Sequence, residues 1–404
     1  MTSKRTALFT VFLVIMIDLI GFGIVLPGLE AYAADLHASP LFAGLIYSAY
    51  SLAQLIFSPI WGSWSDRIGR RPIMMLSTLG ASAAYLLFAF SNSLSLLLFC
   101  RVFAGIMAGN ISTAQAYVAD VTDSKDRAKG MGFIGAAFGI GFVVGPALGG
   151  LIMKYFPNNP FYVIGLLAAG LSGLSFLLVV TCLPESRKES TLSEGRIVKT
   201  SIFTLNFWRT LTAMNRGSGG VFLGLLISVF LLTLGQASIY VVFPYFCRVV
   251  LGLPISAVYR QYILMGLLAV VIQGGLLRIL VRQFGERNLF WLGSLVLALA
   301  LASIPFAKNE SMLTAIMLAM TTGASFAVPA LSSMISKEST AENYGVTMGF
   351  SQSFSAAARA IGPLWGSALL KISFRTPFLI TGALVLLTLW VGFRAKKAHL
   401  VDTR

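Results

Sequence analysis

Residues 7–28 read ALFTVFLVIMIDLIGFGIVLPG, an apolar run interrupted by a single acid, Asp18. An α-helix needs about 20 apolar residues to cross the hydrocarbon layer of a bilayer, and this stretch is long enough. Lys4 and Arg5 precede it, as they would in a signal peptide, but no small-residue cleavage pattern follows. It therefore reads as a retained first helix. Asp18 is the only acid set well inside any long apolar stretch of the chain. A carboxylate in hydrocarbon is costly unless it faces protein, water or a partner. An isolated acid at this depth points to cation or proton handling.

Working outward, the same apolar pattern recurs. Further stretches fall at about 42–61, 73–91, 94–118, 130–153 and 161–183. A second set falls at about 220–246, 256–280, 289–306, 312–334, 343–370 and 377–394. The predicted fold is an all-α membrane protein of twelve transmembrane helices. The predicted domains are a six-helix bundle over 1–183, a cytoplasmic linker over 184–219, and a second six-helix bundle with a short tail over 220–404. In the linker, Ile202–Met214 carries Phe203, Leu205, Phe207, Trp208 and Leu211 beside Arg209, which predicts an amphipathic helix at the membrane surface. A short loop helix with no membrane role is the alternative.

Composition agrees. The chain of 404 residues is 57% hydrophobic and 11% charged, where a soluble domain carries about a quarter charged residues. Its 39 glycines and 30 phenylalanines suit closely packed helices that face lipid. The net charge of +15 could suggest nucleic acid, but its placement points to membrane topology. Lys4, Arg5, Arg67, Arg70, Arg71, Lys125, Arg127, Lys129 and the basic residues of the linker fall on one side. Lys154, Arg248, Arg260, Lys308, Lys371 and Arg375 fall on the other. The basic excess makes the first side cytoplasmic, with both termini inside.

The two sets echo each other. Gly62–Arg71 reads GSWSDRIGRR between the second and third stretches, and Arg278–Asn288 reads RILVRQFGERN between the eighth and ninth. Gly145-Pro146 in the fifth is echoed by Gly362-Pro363 in the eleventh. Repeated halves are a transporter habit, with binding near the membrane midplane.

These residues together resemble the major facilitator superfamily, and within it the twelve-helix proton-coupled drug antiporters that include the tetracycline efflux proteins. The resemblance implies two bundles related by a pseudo-two-fold axis, and it spans essentially the whole chain. Gly62, Asp66, Arg67, Gly69, Arg70 and Arg71 match the family's loop motif GxxxDRxGRR, which implies a gate latch. Asp66 can contact the start of a neighbouring helix, where free N–H groups favour an anion. The second copy has Arg282 in place of Asp66, so a latch there should be weaker or differently paired.

Arg101, followed by Gly105 and Gly109, is buried in the fourth stretch. The resemblance links it to proton transfer. A hydrogen-bonding post to backbone carbonyls is its structural alternative. Gly141, Gly145, Pro146 and Gly149 match the motif that the family associates with antiport, with a plain packing seam as the alternative. Asp18, Gly21, Gly23 and Pro27 resemble the antiporters' first-helix motif. That motif often ends in a second proline, and here the position is Glu30. Asp120 with Arg127 resembles the cytoplasmic end of the fourth helix, which implies an ion pair with gate residues.

Proton exchange is expected at Asp18, with Arg101 modulating it. Gln54, Asn110, Gln236, Tyr240, Arg359, Tyr50 and Phe138 are candidate substrate-cavity residues. The amides could instead tie helices together. Arg359 could hold an anionic group or pair with Asp18. The predicted function is export of a small amphipathic compound in exchange for protons by alternating access. Export of a specific metabolite or siderophore, or flipping of a lipid or glycolipid, uses the same parts. A symporter or a non-transporting receptor fits less well.

No enzyme is expected, because His37 and His399, the two histidines, lie in loops or tails. Cys100, Cys182 and Cys247 have no metal spacing. No cofactor is expected, only the proton gradient as energy source, with protons, membrane lipids and a small-molecule substrate as partners. The resemblance implies a monomer in the bacterial cytoplasmic (inner) membrane.

Overall fold

The computed structural model describes residues 4–122, 124–186, 205–218, 220–338 and 344–401. All regular structure among them is helical. The first apolar stretch forms α1 (Lys4–Val25), a 3₁₀ turn at Leu26–Gly28 and the short α2 (Leu29–Asp35). Then follow α3 (Pro40–Ile68), α4 (Arg70–Ala89), α5 (Leu94–Met107), α6 (Asn110–Val121), α7 (Ser124–Tyr155) and α8 (Pro160–Cys182). The linker holds α9 (Leu205–Gly217). Beyond it come α10 (Val221–Tyr245), α11 (Ile255–Val271), α12 (Leu277–Phe284), α13 (Glu286–Ser303), α14 (Glu310–Lys337), α15 (Tyr344–Leu370) and α16 (Thr376–Val401).

Helix thus covers each predicted apolar stretch. Nine helical segments among the described residues are long and apolar enough to cross a membrane. Ile140–Tyr155 and Thr376–Trp390 are shorter apolar helices, and α15 is not among the nine. The chain is an integral, all-α membrane protein. Helices suit this solvent because their backbone groups are satisfied within the segment.

Helix starts follow local chemistry. The Ser39 hydroxyl accepts from Phe42 N at 3.3 Å ahead of Pro40 at the first helical position of α3. Ser93 does the same for Leu96 at 3.3 Å, and Asn309 Oδ1 accepts from Met312 N at 2.9 Å. Such caps satisfy N–H groups that have no partner in the first turn.

The chain divides into two compact units, Met1–Val198 with Pro254–Gly266, and Lys199–Leu253 with Leu267–Arg404. The first half of α11 therefore packs with the first unit. In that unit α1 lies against α7 and α8, α4 against α8, and α3 against α5. The second repeats the scheme, with α10 against α15 and α16, and α13 against α14 and α16.

Small residues make the seams. A Cβ on Gly145 would meet Gly23 Cα at 2.7 Å, and one on Gly23 would meet the Gly141 carbonyl at 2.9 Å. In the second unit a Cβ on Gly362 would meet Ala237 Cβ at 2.7 Å, and one on Gly323 would meet the Gly293 carbonyl at 2.7 Å. Lipid offers no hydrophobic drive between helices, so close backbone approach supplies the contact energy.

The predicted linker helix is present as α9. Phe207 and Leu211 are buried while Leu205 and Trp208 are exposed. Phe207 packs on Phe350 of α15 with ring centroids 4.5 Å apart. Residues 202–204, included in the predicted helix, lie outside the described residues.

Candidate functional site

Asp18 sits in mid-α1, partly buried, with Ser175 of α8 as the polar side chain beside it. Its Oδ1 is shielded from solvent and has no hydrogen-bond partner among the described residues. Gly21 lets α4 approach one turn further on: a Cβ there would lie 3.7 Å from the Tyr85 ring. The Tyr85 hydroxyl is within electrostatic reach of Asp18, Arg101 and Tyr50. Arg101 is only 3% exposed. Its guanidinium stacks 4.6 Å above the Tyr50 ring, a cation–π contact, and its Nε has no partner among the described residues. The fold therefore gathers Asp18, Tyr50 and Arg101, from α1, α3 and α5, around Tyr85 of α4, with Tyr85 and Arg101 buried and Asp18 and Tyr50 partly so. Tyr85 was not singled out in the sequence, because a tyrosine in an apolar helix looks like any other aromatic.

The fourth stretch breaks at Ala108–Gly109, between α5 and α6, and the break frees carbonyls. Trp61 Nε1 donates to the Ile106 carbonyl at 2.5 Å, the Ser77 hydroxyl donates to Met107, and Gln54 Nε2 donates to Ala108 at 3.5 Å. Gln54 is thus a tie between α3 and the break. Trp61 and Ser77 share its task and carried no sequence signal. Asn110 is buried at the first position of α6.

In the second unit, Arg359 of α15 donates from Nη1 to the Ser355 hydroxyl at 2.7 Å. Tyr240 of α10 lies within its electrostatic reach. Gln236 is half-buried one turn before Tyr240. The side chains of Phe138 and Arg127 lie outside the described residues.

The loop motif forms a dense network. Arg70 pairs with Asp66 at 2.6 Å and with Asp120 at 2.9 Å, and donates to the Ser65 hydroxyl at 2.7 Å. Asp120 also accepts from the Ser186 hydroxyl at 3.1 Å. Among the described partners of Asp120 is therefore Arg70. The start of α4 is capped by Glu185, which sequence reading passed over. Glu185 Oε1 accepts from Arg70 N at 2.9 Å and Oε2 accepts from Arg71 N at 3.0 Å.

Pro72 next in line has no N–H to satisfy. Gly69 turns the chain into α4 at φ +104°, and a Cβ there would strike the Glu185 carboxylate. Arg71 Nη2 donates to the Val180 carbonyl at 2.6 Å, tying α4 to the end of α8. Arg67 is exposed, and the space around Gly62 is open. The second-half copy is paired differently: Glu286 bonds Lys337 at 2.6 Å and Ser333 at 2.7 Å.

The glycines of α7 serve two neighbours. Gly141 and Gly145 face Leu19–Gly23 of α1, while Gly149 and Gly150 face the ring of Tyr259. Tyr259 is fully buried and donates to the Ile24 carbonyl at 3.1 Å. A shallow apolar pocket lined by Leu280, Phe284 and Trp291 contains none of the candidate residues.

Similarity to known proteins fits this geometry. The chain matches the Major Facilitator Superfamily model over residues 11–363 and again over 276–402. It is 29% identical over 361 residues to a class B tetracycline resistance protein of Escherichia coli, covering 86% of this chain and 84% of that one. It is 27% identical to multidrug resistance protein 2 of Bacillus subtilis (strain 168), covering 94% of each. It is 30% identical to major facilitator superfamily domain-containing protein 10 of Bos taurus, covering 93% of this chain and 90% of that one.

The fold is similar to the crystal structure of the human organic anion transporter MFSD10 (TETRAN), with 25% identity and a TM-score of 0.72 over 97% of this chain and 100% of that one. It is also similar to a bacterial homolog of the lysosomal transporter Spinster, with 14% identity and a TM-score of 0.76 over 99% and 98%. The chain is a transporter of small molecules rather than an enzyme, and it belongs to the Major Facilitator Superfamily.

Proposed function

We propose that this chain exports a small amphipathic compound in exchange for protons by alternating access. The observation that carries the reading is Asp18 Oδ1, shielded inside the first helix with no hydrogen-bond partner among the described residues. A carboxylate inside a span balances the cost of its charge against what water, a cation or a cargo can offer it. A substrate or water that reached it would change that balance. Arg101 is the cation nearest in function, acting through Tyr85 and Tyr50.

Export is favoured by the Gly141–Gly149 seam, which matches the antiporter pattern, and by relatives named for tetracycline and multidrug resistance. In this reading twelve helices cross the bacterial cytoplasmic membrane as two six-helix bundles, both termini lie inside, and the protein works as a monomer. The linker helix α9 rests at the membrane surface. Arg70, Asp66, Asp120 and Glu185 form the cytoplasmic latch. Proton entry down a membrane potential contributes about 2.3 kcal/mol per 100 mV for each charge moved.

The test is proton release from purified protein on adding substrate candidates. Release should occur in the wild type and vanish in Asp18→Asn with the fold retained. Equal release in both would remove Asp18 from coupling. A narrower reading, in which the cargo is an organic anion, is favoured by Arg359 with Ser355 and Tyr240 around it, and by the name of a structural relative. A ligand-stabilisation screen across cationic, anionic and lipid-like compounds separates the two. Stabilisation by anions that is lost in Arg359→Ala supports the narrower one.

A further inference from the structure

We propose that Ser172 of α8 is a positioning residue of the proton site: its hydroxyl donates to Asp18 Oδ1 when the acid gives up its proton, and so holds the carboxylate between exchanges. This deepens the proton-coupled reading above and rests on it. Helix register brings the two residues together. The seam between α1 and α8 is fixed at two points. The Ser175 hydroxyl donates to the Val14 carbonyl at 3.5 Å, and a Cβ on Gly21 would lie 3.9 Å from both Cβ and the carbonyl of Ala168. Numbers rise along one helix as they fall along the other, so the pair is antiparallel. Val14, Asp18 and Gly21 make an i, i+4, i+7 row on α1, and Ala168, Ser172 and Ser175 make the same row on α8. Contacts hold the two rows at both ends, and their middle places are Asp18 and Ser172. At 1.5 Å per residue Asp18 is about 6 Å along from Val14 and Ser172 about 4.5 Å along from Ser175, so the two stand within about 2 Å of one level.

Both middle side chains carry an orphaned atom. Ser172 is fully buried, and its Oγ has no hydrogen-bond partner among the described residues. Asp18 Oδ1 is in the same state. Elsewhere in this chain a hydroxyl inside a helix donates to the carbonyl one turn back: Thr10 to Thr6 at 2.9 Å, Thr78 to Met74 at 2.8 Å, and Thr321 to Met317 at 2.9 Å. Ser172 makes no such bond. Ser48, Ser294 and Ser367 are orphaned too, but they lie on α3, α13 and α15, and only Ser172 stands in the row opposite Asp18. A buried hydroxyl without a partner is costly. Joining the two orphans removes both costs. It needs side-chain rotation alone, because the contacts at both ends of the seam stay as they are.

The chemistry follows from what each group can donate. An ionised carboxylate only accepts, and a serine hydroxyl can donate to it. A neutral carboxyl leaves the Ser172 hydroxyl free to lie as it does here. Asp18 is partly exposed although Oδ1 is shielded, so its proton has an open side by which to leave for water or cargo. Oδ1 then becomes a charged acceptor and the Ser172 O–H turns to it. The O–H bond of the acid breaks, the proton passes to its acceptor, and the serine keeps its own proton throughout. The other titratable groups near this level come from α3, α4 and α5. The Tyr85 ring lies 3.7 Å from a Cβ on Gly21, and Arg101 stacks on Tyr50. Gly141 and Gly145 are what α7 brings to α1 here, Tyr117 of α6 is bonded to the Pro184 carbonyl, and α8 contains no charged residue.

The experiment is an infrared pH titration of the full chain in lipid nanodiscs, with no ligand added. The signal is the C=O stretch of a protonated carboxyl, assigned to Asp18 by isotope-labelled aspartate and by its loss in Asp18→Asn. Ser172→Ala removes a donor to the ionised form, so the proton should be held to higher pH, with the midpoint raised by about one to two pH units. Ser172→Thr keeps the hydroxyl and should titrate as the wild type does. Ser172→Cys is close in shape with a weaker donor, should fall between, and serves if the alanine variant does not fold. Melting midpoints accompany each variant, since a merely structural serine would move the melt and leave the titration in place.

An Asp18 band whose midpoint ignores Ser172→Ala or Ser172→Cys would overturn the proposal alone, as would equal displacement by alanine and threonine. Failure of the underlying reading looks different: no aspartate band would be lost in Asp18→Asn at any pH.

Discussion

Replacing Glu185 by alanine removes both acceptors at the start of α4, so the effect is calculable from contacts. The first four N–H groups of a helix lack intrahelical partners. In α4 these belong to Gly69, Arg70, Arg71 and Pro72. Proline has none, and Glu185 takes those of Arg70 and Arg71 at 2.9 and 3.0 Å. The Arg70 bond is partly buried and the Arg71 bond is exposed. A charge-assisted bond at a partly buried donor contributes roughly 1.5–3 kcal/mol, and an exposed one about 0.5–1 kcal/mol after screening.

Glu185→Ala should therefore cost about 2–4 kcal/mol in the first unit. For a unit of roughly 200 residues that corresponds to a drop of about 4–16 °C in melting midpoint. Glu185→Gln keeps one carbonyl oxygen as acceptor and should lose about half as much. Scanning fluorimetry in one detergent reads all three proteins. If Glu185→Ala melted together with the wild type, the cap would contribute nothing and the latch would have to rest on Arg70 alone.

Other substitutions sort in the same way. Gly145→Ala places a Cβ 2.7 Å from Gly23 Cα and 2.8 Å from the Ile20 carbonyl, all backbone, and should cost about 1–3 kcal/mol in a melt. Gly170→Ala in α8 meets nothing within 4 Å and should be neutral or raise the midpoint, since alanine is favoured over glycine in a helix by about 1 kcal/mol. Lys337→Ala breaks a pair whose lysine is 67% exposed, and should change stability by less than about 1 kcal/mol by the same assay. Arg359→Ala should weaken binding of whichever compound stabilises the wild type, with membrane insertion unchanged, as read by titration and by yield from membranes.

What could be read along the chain and what could not divide on one physical ground. The apolar stretches, the +15 charge and its sidedness, and Asp18 are local facts, since hydrocarbon length and the cost of a lone acid are set by neighbours in sequence. The loop motif from Gly62 to Arg71 is equally local, and its resemblance to a known pattern rests on adjacent residues. Partners far along the chain left no such mark. Glu185 meets Arg70 across 115 residues, and in sequence it is one acid at the edge of a charged linker, where solvation is the default. Tyr259 lies in the second set of apolar stretches yet buries its ring against Gly149 and Gly28.

The glycines were legible as small residues but not as receptors for that ring, because a glycine records what is absent, not what fills the space. Trp61 and Ser77 answer carbonyls that exist only because α5 and α6 part at Ala108. Hydropathy reads that stretch as one continuous span. Glu30 is the sharpest case. In sequence it marks a departure from the proline of the related motif, at the end of an apolar stretch where an acid is solvated by default. Its burial follows from α3, whose Tyr47 bonds the Leu26 carbonyl, and from α11, whose Tyr259 covers Gly28, contacts made by elements some 20 and 230 residues away. Where long-range packing decides whether an acid is wet or dry, local pattern marks the residue and only the fold says whether it is buried.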